Sequence, residues 1–304
     1  MNPIKGLLLA ALFALFATAA PLALARTPLV LMTDFGQADG AVSAMRGVAF
    51  GVDAGLNVSD LTHEIPEYDI WAGAYRLFQT TAYWPAGSVF VTVVDPGVGT
   101  ARKSVVLKTR TGQFYVGPNN GLYTLVAERD GIEALREIDE SINRLPGSAD
   151  SYTFHGRDVY AYTGARLASG QIDFAQVGPL LDASALVRIA YQPPSLKGDR
   201  LEGNIPVLDV HWGNVWSNIP KRMLDQFQVK VGDRLRVRLF NGKRLVADVV
   251  VPFQHAFGGV APGKPVAYVN SLLNFSVAIN QGNFARVHKV ESGADWHLDV
   301  RRAR

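Results

Sequence analysis

VTVVDPGVGTAR, residues 91–102, begins as a β-branched run and ends in a glycine-rich turn carrying two opposite charges. Val91, Thr92, Val93 and Val94 have the composition of a buried strand, and the strand stops at Asp95-Pro96-Gly97. Pro96 cannot donate to a sheet ladder, and Gly97 and Gly99 open backbone conformations closed to other residues. Asp95 is therefore delivered at the carboxyl end of a strand, where open α/β sheets place their ligands. Arg102, seven residues on, can fold back beside it. Two readings stay open for this stretch alone. Either the carboxylate and guanidinium form a reactive pair, or Asp95 caps the turn and Arg102 is a surface charge.

Working outward, the same rhythm repeats. Pro28–Met32 reads as a strand that hands Asp34 to a glycine turn in TDFG (33–36), and Ala38–Val52 follows with helical spacing. Asn57–Leu61 reads as a strand leading into THEIP (62–66), and Ile70–Tyr83 as a helix. Beyond the central stretch, Ser104–Lys108 and Gln113–Gly117 form a strand pair that ends in Pro118-Asn119-Asn120-Gly121. A helix over Leu122–Glu128 comes next, and TFHGRD (153–158) precedes a helix over Val159–Ala168. This order predicts an α/β fold with a mostly parallel sheet covered by helices. Asp34, Asp95, Asn120 and His155 each fall at a strand-to-turn junction, so such a sheet would collect them along one edge. By itself, His155 is an ordinary hydrogen-bonded histidine.

Known ligand fingerprints are missing. Gly97-x-Gly99 lacks the third glycine of a dinucleotide loop, and no Gly-Lys-Ser/Thr follows it. The six histidines, at 63, 155, 211, 255, 288 and 297, are isolated from one another, so no metal pair is expected.

Residues 191–199, YQPPSLKGD, read as a linker between an α/β domain over 26–190 and a second domain over 200–304. The second domain carries short β runs at Ile205–Val210, Arg234–Leu239, Arg244–Val251 and Val266–Val269, which predict a small β-barrel or sandwich. Gly213-Asn214 is a strong turn signal, so Asp209 and Asn214 taken alone read as turn chemistry, and alongside the motifs of the first domain as ligand contacts. Phe257 is either a core aromatic or a ring that stacks on a planar ligand.

With 304 residues, 48% hydrophobic and 19% charged, the chain can bury a substantial core, and a formal charge of +3 does not argue for nucleic acid. Residues 1–25 differ: Lys5 precedes the apolar Gly6–Ala20, and Ala23-Leu24-Ala25 offers a small-x-small cleavage site. This reads as a signal peptide cut after Ala25, with a periplasmic or secreted mature protein; a retained membrane anchor is the alternative. The absence of cysteine excludes disulfides and thiol chemistry.

TDFG, THEIP, DPGVGTAR (95–102) and TFHGRD, in this order, resemble the signatures of the S-adenosylmethionine (SAM) hydroxide adenosyltransferases, relatives of the SAM-dependent fluorinase and chlorinase. The resemblance runs from about Leu29 to about Ala285. Asp209–Asn214 and its continuation to Asn218 resemble the segment that holds adenine and the methionine part of SAM. Tyr268–Ser271 and Ala278–Asn283 resemble the carboxy-terminal nucleoside motif. The resemblance implies a Rossmann-like domain followed by a β-barrel, and a homotrimer with SAM held between chains. It also implies Asp95, Arg102 and His155 as the catalytic set, acting on water. Asp34, Asn120, Asp209, Asn214 and Ser271 are implied as substrate contacts, with SAM as substrate and no cofactor or metal; Phe257 joins them as a ring that stacks on adenine.

Two positions depart from that pattern: Asn119 stands where Asp is usual, and Leu272 where halogenating relatives carry an Arg. An exported chain would rarely meet SAM, a cytosolic metabolite. An exported nucleoside-binding protein without turnover, or a SAM-dependent halogenase, therefore stand as alternatives.

Overall fold

Residues 26–303 are described by the structure, a computed structural model; the leader read over 1–25 lies outside them. β1 (Leu29–Thr33), α1 (Ala41–Val52), β2 (Val58–Thr62), α2 (Ile70–Thr80) and β3 (Val89–Val93) follow in the order the sequence predicts. β4 (Ser104–Thr109) and β5 (Phe114–Pro118) form the expected antiparallel pair, and α3 (Thr124–Asp130) comes next. β6 (Ile132–Glu137), α4 (Glu140–Asn143), α5 (Tyr162–Ser169) and β7 (Leu180–Leu181) complete this part. The seven strands order as β2-β1-β3-β5-β4-β6-β7. β2, β1, β3 and β5 are parallel neighbours, and β4, β6 and β7 are added antiparallel.

β1 and β3 are buried along their whole length, and alternation sorts their side chains to two cores. Leu29, Leu31, Val89, Val91 and Val93 pack under α1 and α5 with Met45, Ala49 and Ala165. Val30, Met32, Phe90 and Val94 face Leu77 of α2 and Val126 of α3. Gly164 lets α5 lie close on the sheet, since a Cβ there would strike Val91.

The rest of the described chain is antiparallel. β8 (Ser195–Lys197), β9 (Arg200–Asn204), β10 (Val207–Leu208), β11 (Val215–Pro220), β12 (Arg234–Asn241), β13 (Arg244–Pro252), β14 (Pro265–Val269), β15 (Asn274–Ile279) and β16 (Trp296–Arg302) make two sheets. Their orders are β10-β11-β15-β14 and β13-β12-β16-β9-β8. β8 falls inside the stretch read as linker and pairs with β9 across a turn in which Gly198 has a positive φ.

The expected closed barrel is corrected to two sheets sharing one core of Leu201, Val215, Val237, Phe275, Val277 and Leu298. Two seams explain why no ladder closes the ring. Between β9 and β11, the Asn218 side chain takes the place of a strand partner, accepting from the Asn204 N–H at 2.8 Å. Between β13 and β14 a lone bridge, Phe253–Ala267, makes the only strand-type pairing among the described residues. Trp71 of α2 ties the first part to the second, donating from Nε1 to the Pro206 carbonyl at 3.1 Å within a small apolar cluster that includes Tyr75 and Val207. Among the described residues no helix is long and apolar enough to cross a membrane.

Candidate active site

β1, β3 and β5 are adjacent and parallel, so their carboxyl ends deliver Asp34, Asp95 and Asn120 to one edge. His155 arrives differently from the sequence expectation. No strand precedes it; it opens a π-helical turn, Gly156–Ala161, that runs into α5. Such turns recur at functional sites because the extra residue re-aims side chains.

Asp95 and Arg102 close on one another as the spacing suggests. Arg102 Nε donates to Asp95 Oδ1 at 2.8 Å, and Nη2 pairs with Oδ2 in a bidentate fork. Gly99 supplies the positive φ of this turn, and Gly97 leaves room for the Arg102 stem. Both side chains are nearly enclosed, 4% exposed for Asp95 and 11% for Arg102. Arg102 Nη1 donates to Ser104 Oγ at 2.9 Å, which in turn lies 3.2 Å from the Tyr160 hydroxyl. Arg102 Nη2 also sits 3.1 Å from His155 Nδ1. Acid, guanidinium and imidazole thus meet on a single nitrogen. Burial is the largest single influence on Arg102 and lowers its pKa, but the Asp95 hydrogen bond together with the nearby Tyr160, Asp95 and Glu140 groups outweighs it, so the value is raised. His155 is pushed below its ordinary value, first by burial and then by the neighbouring Arg102 and Arg144 cations, against the pull of Glu140 and Asp95.

A cavity of about 350 Å³ opens in front of this set, lined by Asp34, Glu67, Tyr68, Asp95, Phe154 and His155 among others. Asp34 accepts from the Tyr68 N–H at 3.0 Å, leaving carboxylate acceptor capacity for a ligand. Its pKa is raised, mainly by burial and opposed by the Tyr68 hydrogen bond. His63 of THEIP lies behind the cavity: fully enclosed, its Nδ1 is 2.9 Å from Thr33 Oγ1 and its Nε2 3.0 Å from Asp60 Oδ1. Thr33 Oγ1 then accepts from the Phe35 N–H, so this motif braces the Asp34 turn.

Asn120 donates to the Val94 carbonyl at 2.8 Å and accepts from the Leu122 N–H, which fixes the β5 turn; it does not line the cavity. Tyr68, 69% exposed at the cavity rim with a positive φ, and Glu67 were not singled out in the sequence. The Tyr68-Asp69 step into α2, with Asp69 as its N-cap, was the available signal.

A second cavity, about 720 Å³, belongs to the antiparallel part and shares no residue with the first. Asp209, Trp212, Asn214, Phe257, Asn280 and Asn283 line it, with Arg286 at its edge. Asn214 Nδ2 lies 3.2 Å from Asp209 Oδ2, and the Asp209 N–H donates to the Asn214 carbonyl at 2.9 Å. The turn between them needs the positive φ of Gly213, where a Cβ would collide with Asn283. Turn chemistry and cavity lining therefore coincide. Phe257 packs edge-on against Tyr268 at 4.8 Å and stays 40% exposed, with a face free for stacking. Ser271 is exposed on the β14–β15 turn and lines neither cavity. Among the described residues no three His, Asp or Glu side chains gather as a metal-binding group.

Known proteins resemble the chain over most of its length. The family model for the SAM hydroxide adenosyltransferase N-terminal domain matches residues 29–178, and that for the C-terminal domain residues 203–297. The chain is 36% identical over 272 residues to the (R)-S-adenosyl-L-methionine hydrolase of Salinispora tropica, covering 89% of this chain and 97% of that protein. It is 29% identical to a fluorinase of Actinoplanes sp., over 87% of this chain and 95% of that one. Among solved structures, an uncharacterized conserved protein from Thermotoga maritima superposes with a TM-score of 0.81 at 29% identity, covering 90% of this chain and all of that one.

Proposed function

The chain belongs to the SAM hydroxide adenosyltransferase family, and we propose that it displaces methionine from C5′ of SAM with water, giving adenosine and methionine. The sulfonium leaves as a neutral sulfide, so no acid is needed. One C5′–O bond forms, the C5′–S bond breaks with its electron pair going to sulfur, and one proton must leave the attacking water. The protein's task is to orient and deprotonate that water out of bulk solvent.

The observation that carries this reading is the contact of Arg102 Nη2 with both Asp95 Oδ2 and His155 Nδ1, two residues that line the Asp34 cavity. Arg102 and His155 hold the water and stabilise its developing hydroxide character, Asp95 orients them and helps accept the proton, and Asp34 accepts from the ribose hydroxyls. Asp209, Asn214 and Phe257 take adenine and the amino-acid part. Asn120 supports the site through its side-chain hydrogen bonds to the Val94 and Leu122 backbone, and Ser271, which lines neither cavity, is given no contact.

Two cavities without a common residue support a site completed between chains, as in a homotrimer whose α/β unit (26–190) faces a neighbour's antiparallel unit (200–304), with 191–199 joining the two. The signal-peptide reading of residues 1–25 supports action in the periplasm or outside the cell. The test is incubation of the mature protein with SAM, with and without chloride or bromide. Adenosine under both conditions is expected; 5′-halogenated adenosine would make it a halogenase. Tight nucleoside binding without product would leave only a binding protein.

A further inference from the structure

Both nitrogens of His155 face guanidinium groups. Arg102 Nη2 lies 3.1 Å from Nδ1, and on the opposite side Arg144 Nη2 lies 3.4 Å from Nε2. A neutral imidazole has one lone pair to offer, so it can accept from only one of them. The shorter contact identifies Nδ1 as that acceptor, and the longer one is too stretched for a good hydrogen bond.

Arg144 is itself firmly placed. It pairs with Glu140 Oε2 at 2.5 Å, lies over the Tyr152 ring at 4.8 Å, and its side chain is 9% exposed. The short helix α4, which carries Glu140 and ends just before Arg144, is locked from below. Buried Asn143 donates to the Gln176 and Val177 carbonyls at 3.1 and 2.9 Å, and the Leu145 N–H donates to the Asp158 carbonyl at 2.7 Å. Nothing in the reaction as described above uses Glu140 or Arg144.

We propose that Arg144, held by Glu140, is a positioning residue for His155: its charge bars a proton-rich, cationic ring and leaves the imidazole one acceptor, turned to Arg102. The charged groups around the ring are Arg102 and Asp95 from the loop after β3, Glu140 from α4 and Arg144 just after it; Tyr152 and Tyr160 pack edge-on at 6.4 and 6.3 Å. Two cations thus oppose two carboxylates. Removing Arg144 tips the balance toward protonation, and removing Glu140 tips it the other way. This inference rests on the assignment of His155 to the water site, but the ring's titration can be read without turnover.

The experiment follows the imidazole resonances of the full mature chain by NMR from acid to neutral pH, with His155→Gln to assign the signal. Arg144→Gln is expected to move the His155 midpoint to higher pH, Glu140→Gln to lower pH, and Arg144→Lys to restore the parental position. The acid limb of SAM turnover should shift in step. Opposite movements and rescue by lysine are not produced by a merely structural role. An unchanged midpoint in both glutamine variants, or movement in the same direction in both, overturns the inference. Should SAM not be hydrolysed at all, the proposed function fails while the titration still decides the role of Arg144.

Discussion

At the scale of single residues, the set is tightly coupled. Asp95 is almost fully enclosed with Arg102 as its ion partner, so Arg102→Ala leaves a buried charge unpaired at a cost of about 3–5 kcal/mol. Arg102→Lys is the milder change. It keeps the charge and loses the fork that reaches Asp95 and His155 together. Steady-state assays should show kcat reduced by about 10²–10⁴-fold in His155→Ala, with SAM binding by calorimetry retained. Parental rates in both His155→Ala and Arg102→Lys would disprove the roles assigned here.

The depressed pKa of His155 also fixes a sign. Its folded-state value lies below the unfolded one, so the stability that depends on its neutral form is fully present above the ordinary histidine value of about 6.5. That contribution is lost as pH falls through the folded-state value. Urea titrations over this range should therefore show a shallower loss in His155→Gln than in the parent. Gly213 makes a third residue-scale case. Alanine there must adopt a left-handed backbone, costing about 1–2 kcal/mol, and displace Asn283; weakened nucleoside binding is expected by calorimetry.

At the scale of elements, legibility followed local chemistry. Val91–Arg102 could be read because a buried parallel strand leaves a continuous apolar run and its turn needs glycine. Asp34 and Asp95 were placed by the same logic, each at the end of a central strand. The reach of His155 was not legible, since it comes from a helix start after a turn-rich loop and not from a strand end. Arg144 was hidden for a related reason: only tertiary packing brings a residue eleven positions upstream to the far side of the imidazole. Strands β11, β15 and β16 went unread because polar residues such as Asn218, Ser276 and Asp299 interrupt their apolar pattern.

The open ring of the antiparallel part has the same origin, a side chain doing the work of a ladder. Asn218→Ala strips the buried Asn204 N–H of its partner, and a loss of about 1–3 kcal/mol should appear in denaturant unfolding with KM for SAM unchanged. A change below about 0.5 kcal/mol would contradict the seam's importance.

At the scale of the whole molecule, one chain presents two separate cavities, one lined by Asp34, Asp95 and His155 and the other by Asp209, Asn214 and Phe257. Trp212, 67% exposed beside the second, and Tyr68 at the rim of the first are surfaces suited to meeting across chains. Co-expression of His155→Ala with Asn214→Ala, each inactive alone, tests this. A head-to-tail ring assembled at random from equal amounts rebuilds about a quarter of its interfaces with both halves intact. Recovered turnover is expected; its complete absence would place each site within one chain.

The central claim is that oxygen from water attacks C5′ of the nucleoside beside Asp95, Arg102 and His155. Its most direct measurement is SAM turnover in isotopically labelled water, with adenosine and methionine separated and weighed by mass spectrometry. The account predicts the label in adenosine and none in methionine. Unlabelled adenosine, or no adenosine formed at all, would contradict it.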